Sequence, residues 1–146
     1  MTKMREILFR AKREDIGEWV YGYYVRMPDA ASSVHMMYVP AENPDESNNV
    51  FYIDPQTVGQ YTGLIDKNGI RIFEGDIVKV DDDFDTFGKM AGEIREVWFK
   101  DGGFRLKPKC ASSIARGDRG YWMEDGADFE VIGNVWDNPE LLGGDK

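Results

Sequence analysis

The sequence predicts an all-β, strand-dominated protein in which antiparallel hairpins form a small barrel, SH3-like in part, with a short C-terminal helical turn. Apolar and polar residues alternate over several short stretches, which is the period of a half-buried strand. Turn-forming Gly, Asn and Asp separate these stretches at hairpin spacing. Aromatic residues make up 13% of the chain, and such rings favour strands. Without long helical stretches between the strands, a parallel α/β fold has little support.

Four strands are predicted in the N-terminal part of the chain, at residues 5–12, 18–26, 34–39 and 50–53. The first alternates apart from Leu8. Because neighbouring residues of a strand point to opposite faces, the second strand separates two sets of large side chains. The set on one side is Trp19, Tyr21, Tyr23 and Val25.

The middle of the chain carries the densest turn signals. Asn68-Gly69 predicts a type I′ hairpin turn, because both central residues of that turn need positive φ and these two tolerate it best. Short strands are predicted at 72–73 and 77–80. Residues 57–64 are predicted to be irregular, since their two glycines suit a corner better than a central strand.

A clear hairpin follows, in which residues 92–99 pair with 104–107 across a Gly-rich reversal at 100–103. The last predicted strand is 129–135. A short helical turn is expected at 138–142, because it begins with Asn and Pro, residues suited to the N-cap and to the first helical position.

Three blocks of sequence resemble the YopX-like family of conserved phage and prophage proteins. They are residues 4–12 with 17–22, the words GQYTGL, NG and IFEGDIV between 59 and 78, and residues 131–142. The resemblance implies an accessory protein encoded by a phage or prophage, without an assigned reaction, and it carries over no catalytic residue. The family-signature positions are Gly59, Gln60, Tyr61, Thr62, Gly63, Asp66, Asn68, Gly69, Glu74, Gly75 and Asp76.

Length and composition predict one cytoplasmic domain. The 146 residues fit a single domain, with an N-terminal strand region at about 1–56 and a barrel-like core at about 57–142. No apolar run approaches the roughly 20 residues that span a bilayer, and the first residues lack the apolar stretch of a signal peptide. We therefore expect a protein of the bacterial host cytoplasm with no membrane partner. The single Cys110 cannot form an internal disulfide, and we interpret it as an inert small side chain.

Charge is unevenly distributed along this acidic chain, whose formal net charge is −9. Residues 88–109 carry six bases against three acids. Within this basic hairpin, Arg105 and Lys107 are predicted to face away from Phe104 and Leu106. The candidate binding surface is Arg95, Trp98, Lys100, Phe104, Arg105, Lys107 and Lys109.

No catalytic, cofactor or metal site is predicted. Asp81, Asp83 and Asp85 alternate as calcium ligands would, but the sixth position of such a loop is not Gly and the twelfth is not Glu. Residues 117–120 lack the pattern of a phosphate-binding loop. His35 is the only histidine, and one histidine without further ligands cannot build a usual zinc site.

The leading hypothesis is a non-enzymatic module that binds a macromolecule, with another protein as the partner. Exposed edge strands also favour a homo-oligomer. The first alternative is a nucleic-acid-binding small barrel that uses the basic hairpin 92–109, with Trp98 or Phe104 stacking on bases, although the net charge disfavours it. The second is a hydrolase or nuclease with an unrecognised acidic site, to which Glu74 and Asp76 would offer carboxylates.

Overall fold

Antiparallel strands dominate the computed structural model, which describes residues 4–28, 33–41, 49–82 and 90–143. The chain divides into two compact units, Met1–Tyr61 and Thr62–Lys146. None of the helices in the described ranges has the length and apolar character that crossing a membrane requires.

The elements of the first unit are β1 (Phe9–Lys12), β2 (Trp19–Pro28), β3 (Ser33–Val39), β4 (Asn49–Tyr52), a 3₁₀ helix (Pro55–Thr57) and β5 (Gly59–Ile65), which ends in the second unit. The strands form a sheet in the order β4-β3-β2-β1-β5, with antiparallel pairing between neighbours. Met37 of β3 is buried with Ala11 and Ile53 to form the core of this unit. Around them pack partly buried apolar side chains, among them Tyr24 and Phe51.

The elements of the second unit are β6 (Arg71–Phe73), β7 (Asp76–Val80), β8 (Ile94–Lys100), β9 (Gly103–Leu106), α1 (Ala111–Ala115), β10 (Tyr121–Trp122), a 3₁₀ helix (Gly126–Asp128), β11 (Phe129–Asn134) and a 3₁₀ helix (Pro139–Leu142). Five of the strands form an antiparallel sheet in the order β10-β9-β8-β7-β11, and β6 lies beside the end of β5. The core of this unit is a larger apolar cluster that includes Ile72, Val78, Val97, Leu106 and Phe129.

The predicted strand-dominated, antiparallel class is confirmed, and so is the short C-terminal helical turn. The small barrel is not found, because the described strands form open sheets whose outer strands do not pair to close them. The SH3-like arrangement is not confirmed. In the C-terminal turn Pro139 takes the first position as expected, but the Asn138 side chain does not cap it and accepts a hydrogen bond from the Asn134 N–H instead.

The irregular path predicted for 57–64 is wrong, since β5 runs through most of it. Gly63 does adopt the left-handed conformation, at φ 91°, without ending the strand. Pairing explains the difference: β5 hydrogen bonds to β1 at its beginning and lies beside β6 at its end. These long-range partners override the weak strand propensity of glycine.

The type I′ turn exists at a different place from the one predicted. Asn68 does not have positive φ, and only Gly69 of that pair is left-handed, at φ 84°. Asp101 and Gly102, at φ 50° and 86°, form the two-residue turn between β8 and β9, where Lys100 pairs with Gly103. Positive φ at both central residues is the signature of type I′, so the predicted hairpin at 100–103 is confirmed with this geometry.

A buried carboxylate organises the loop between β5 and β6. Asp66, only 4% exposed, accepts N–H bonds from Asn68 and Ile70 at 2.8 Å through Oδ1. Its Oδ2 accepts the N–H of Val131 in β11 at 2.9 Å. One side chain therefore satisfies three backbone donors and links this loop to a strand 65 residues away.

A second carboxylate serves the turn between β6 and β7. Asp76 is almost fully buried, and its Oδ2 accepts the N–H of Phe73 at 2.7 Å. Between them Gly75 is left-handed, at φ 92°, and a Cβ there would overlap the ring of Trp136. This turn requires glycine on both counts.

We predict that Asp66→Ala lowers the free energy of unfolding by about 3 kcal/mol, because it leaves several buried backbone donors unpaired. Asp66→Asn keeps one acceptor oxygen for the loop and loses only the bond to Val131, so we expect its free energy of unfolding to fall by about 1 kcal/mol. Urea denaturation followed by circular dichroism measures both.

The matched control is Asp118→Ala, which removes an exposed carboxylate that accepts a single backbone N–H, from Gly120. Its effect should stay within about 0.5 kcal/mol, as for most surface changes. If Asp66→Ala is no more destabilising than this control, the structural role assigned to Asp66 is wrong.

Candidate functional site

Three strands of the second unit bring two tryptophans and an arginine into one row. Trp98 of β8 lies opposite Arg105 of β9, and Arg105 lies opposite Trp122 of β10. Residues directly opposite each other in antiparallel strands point to the same face of the sheet. Lys100 and Lys107 lie on the same face, because each comes two residues after Trp98 or Arg105 and side chains alternate between faces along a strand. We call this surface the tryptophan face and define it as Trp98, Lys100, Arg105, Lys107 and Trp122.

Cations of the tryptophan face lie over its rings. The Arg105 guanidinium carbon is 3.8 Å from the centroid of Trp122. The ammonium groups of Lys100 and Lys107 are 5.7 and 5.3 Å from the centroid of Trp98. Each contact lies within the roughly 6 Å over which a ring attracts a cation. Positive charge and aromatic area are thus held together on a surface where Trp122 is 48% exposed.

Backbone contacts fix the positions of both indoles. Trp98 donates its Nε1–H to the carbonyl oxygen of Arg119 at 3.0 Å. The ring of Trp122 lies over Gly103, where a Cβ would overlap it. Arg105 is held as well, since its Nε donates to the Lys100 carbonyl oxygen at 3.2 Å. The rings and the guanidinium are therefore preorganised in part.

The electrostatic balance around the tryptophan face is positive. Arg119 adds a fourth cation and forms an ion pair with Asp101 of the hairpin turn. Glu96 lies 3.6 Å from the Lys107 ammonium. Four cations thus stand beside two carboxylates, in a chain whose net charge is −9. Such a local reversal of sign is a feature by which an anionic partner is attracted.

The structure separates the predicted surface residues into two groups. Trp98, Lys100, Arg105 and Lys107 belong to the tryptophan face, and Arg105 and Lys107 point away from Phe104 and Leu106 as expected. Phe104 instead makes an edge contact with Phe99, with ring centroids 5.2 Å apart. It therefore does not contribute to the tryptophan face.

The other two predicted cations also lie apart from the row of rings. Arg95 is held by Glu93 at 2.6 Å and donates to the Lys107 carbonyl oxygen at 3.3 Å. Lys109 lies exposed beyond the end of β9. Sequence reasoning missed Trp122 and Arg119 as surface residues. The sequence carries little sign that Trp122 lies on this surface, because its strand β10 has only two residues and alternation cannot be recognised over so short a stretch.

A cleft of about 240 Å³ lies on one side of Lys107, between β8 and the C-terminal 3₁₀ helix. Pro139 and Leu142 form one wall, and Ile94 and Glu96 lie on the β8 side. This volume is below the roughly 300–1,000 Å³ of most small-molecule sites.

The family-signature positions lie in β5 and in the two turns that follow it. Asp66, Asn68 and Gly69 form the β5–β6 loop, and Gly75 and Asp76 form the turn before β7. Tyr61 is buried, and the Thr62 hydroxyl donates to the Ile72 carbonyl oxygen at 2.8 Å. The remaining positions are Gly59, Gln60 and Gly63 in β5 and Glu74 beside Gly75.

The residues weighed as metal or phosphate ligands have other surroundings. His35 Nδ1 lies 2.6 Å from the Tyr24 hydroxyl, and the two rings stack. Asp81 forms an ion pair with Lys67 at 3.3 Å, whereas Asp83 and Asp85 lie outside the described residues. Within the described ranges, no group of three or more His, Cys, Asp or Glu side chains is placed to hold a metal ion.

Near Asp81, carboxylates repel one another. Burial raises the pKa of Asp128, and the charges of Asp125 and Asp81 raise it further. Because the folded pKa lies above the unfolded value, ionisation of Asp128 costs stability as pH rises through that pKa, and protonation at lower pH relieves the cost. This cluster weakens the fold at neutral pH.

The fold and the tryptophan face define a strand-rich protein with an exposed aromatic and cationic surface. The chain belongs to the YopX family: the family model, described as YopX protein, matches residues 8–143. This confirms the resemblance seen in the sequence.

A solved structure shares the fold. It is the crystal structure of protein EF1440 from Enterococcus faecalis, with a TM-score of 0.52 and 23% sequence identity over 95% of this chain and 99% of that one. Among curated proteins, none matches the chain.

Cys110, which the sequence led us to interpret as an inert small side chain, is exposed, and its thiol lies 2.8 Å from the Ser112 hydroxyl. That hydrogen bond, with the N–H groups of Ser113 and Ser112, lowers the pKa of Cys110 to about 7. We predict that alkylation by iodoacetamide rises with pH around a midpoint of about 7, because the thiolate is the nucleophile.

Ser112→Ala removes the main hydrogen bond and should move that midpoint toward about 8.5, the value of a free thiol. Ser112→Thr retains a hydroxyl and serves as the control. Since Cys110 is the only cysteine, mass spectrometry of the modified chain gives the rate directly. A wild-type midpoint near that of the free thiol would contradict the prediction.

Proposed function

We propose that this protein is a non-enzymatic binding module whose tryptophan face takes an acidic segment of another protein. The observation that carries the proposal is the row Trp98–Arg105–Trp122, flanked by two lysines, in which Trp122 is exposed and the other two side chains are half-buried. Trp and Arg are enriched at the centres of protein interfaces, where few residues supply most of the binding free energy. The family resemblance supports an accessory role for a phage or prophage in the host cytoplasm.

An acidic partner fits the chemistry of the face. The Arg105 guanidinium is planar, and its bond to the Lys100 carbonyl oxygen uses only the Nε–H. Such a group binds carboxylates through paired N–H bonds. The ammonium groups of Lys100 and Lys107 both lie close to the Trp98 ring. An acidic segment with an apolar residue would place carboxylates on these cations and its apolar side chain on the indole edges.

The arrangement favours an acidic protein segment over a nucleic acid. Binding of single strands relies on open aromatic faces on which bases stack, and here cations of the same chain lie over both indoles. A phosphate backbone also needs a long track of cations. The cations of the tryptophan face form only a short cluster, with Glu96 and Asp101 beside it, on a chain of net charge −9.

We expect Arg105→Ala to weaken binding of a fluorescent peptide of alternating Glu and Leu by at least about ten-fold, or about 1.4 kcal/mol. Arg105→Lys keeps the charge but loses the planar stack on Trp122, so an intermediate loss is expected. Fluorescence anisotropy at low and high salt measures both, and high salt should weaken the wild-type complex.

The matched control is Arg116→Ala, which removes an exposed arginine at the end of α1, in the same unit and outside the tryptophan face. Its affinity should equal that of the wild type. Equal losses in both variants would mean general electrostatic attraction and would overturn the proposal. So would tight binding of a labelled oligothymidine with none of the acidic peptide, which would favour the nucleic-acid alternative.

A further inference from the structure

The sheet of the first unit has a second apolar face, opposite to the face that covers its core. Alternation in β2, β3 and β4 places uncharged side chains on this side, and the register brings them into rows. Tyr23 lies opposite Tyr38, which lies opposite Val50. We call this surface the apolar face; its members are Tyr21, Tyr23, Val25, Met27, Val34, Met36, Tyr38, Val50 and Tyr52.

The apolar face is open in the single chain. Tyr23 is 50% exposed and Tyr52 is 63% exposed, while Met37 on the opposite side of the sheet is fully buried. An antiparallel sheet with one solvated face normally alternates between apolar residues inside and polar residues outside. Here the outward positions of three adjacent strands are apolar or tyrosine, so the sheet is composed like one that is covered on both sides.

The exposed area is close to that of a stable interface. Six of its members are between 39% and 63% exposed, so at about 200 Å² for each side chain they leave about 600 Å² open, at the upper end for the largest patch on a monomer. A standard interface buries about 800 Å² per partner. The apolar face with its border therefore approaches the area that a specific complex needs.

We infer that a second copy of this chain covers the apolar face, with the two sheets packed face to face about a two-fold axis. A two-fold interface places the same patch against itself, so each charge in it would tend to meet a like charge. The apolar face has none, although the chain has a net charge of −9. Tyrosine hydroxyls both donate and accept hydrogen bonds, so they can pair with their own kind, which lysine and arginine cannot do.

The borders of the apolar face locate the interface on β2, β3 and β4. Toward β1 the face ends at Trp19, over which lie the cations of Arg10 and Lys12, at 4.7 and 5.4 Å from the ring centroid. Stacked Tyr23 and Tyr38, with centroids 6.4 Å apart, form a ridge near the middle of the patch. Packed sheets lie about 10 Å apart, a distance that interdigitated tyrosine and methionine side chains fill.

Face-to-face packing differs in a testable way from pairing through the edge of the sheet. β4 is the outer strand, and edge pairing between two copies would use its backbone. Such pairing would leave the apolar side chains of β2 exposed. Charges introduced on β2 therefore distinguish the two arrangements.

The test is sedimentation equilibrium over a range of concentrations. Wild-type protein should give twice the 16.7 kDa chain mass, with a dissociation constant that high salt does not raise, because the interface is apolar. Tyr23→Glu should weaken the dimer by at least about ten-fold. Met27→Glu, 48% exposed on the same strand, provides a second variant in case the first fails to fold.

Ile16→Glu is the matched control, since Ile16 is an exposed apolar residue of the same unit that lies in the β1–β2 turn and outside the apolar face. It should dimerise like the wild type, and circular dichroism verifies that each variant is folded. A wild-type monomer throughout the concentration range would overturn the inference. So would a dimer that folded Tyr23→Glu and Met27→Glu leave intact.

Discussion

The carboxylate of Asp66 is the constraint on which much of the second unit depends. It joins the β5–β6 loop to β11, which pairs with β7, and β7 pairs with β8. β8 then forms the hairpin that carries Trp98 and Arg105. The strands that carry the tryptophan face are therefore connected, through successive strand pairings, to the loop that this one buried side chain orders.

The family signature is explained by backbone geometry in the turns that the structure describes. Asp66 and Asp76 each accept backbone N–H groups that would otherwise be buried without a partner. Gly75 lies where a Cβ would overlap Trp136. The surface that we propose for binding lies elsewhere in the same unit, on residues outside the signature.

Local signals predicted most of the strands, because a strand and its turn are encoded within a few residues. The reversal at Lys100–Gly103 was identified from its glycines, and the two sets of β2 side chains were separated by their alternation. What depends on distant partners was not predictable. The strand β5 exists through its pairing with β1 and β6, and Trp122 joins the tryptophan face through a two-residue strand.

The two apolar sides of β2 illustrate another limit. Alternation separates Tyr23 from Tyr24 without saying which side is covered, since both sets contain valine and tyrosine. Only the packing of Met37, Ala11 and Ile53 on one side identifies the inner face. Likewise, the dipeptide Asn68-Gly69 suits a type I′ turn, yet the Asp66 carboxylate imposes another geometry on that loop.

Because β10 is short, it can open away from β9 and close again while the rest of the tryptophan face stays folded. Two register pairs hold this outer strand to β9, and short edge elements of this kind open at lower free energy than the core. Opening would carry Trp122 away from Arg105 while the β8–β9 hairpin stays formed. A ligand that touches both indoles binds only the closed form, so its apparent affinity includes the closed fraction. Ligand occupancy of the tryptophan face and protection of the β10 amides from hydrogen exchange therefore both depend on the same opening and closing of β10.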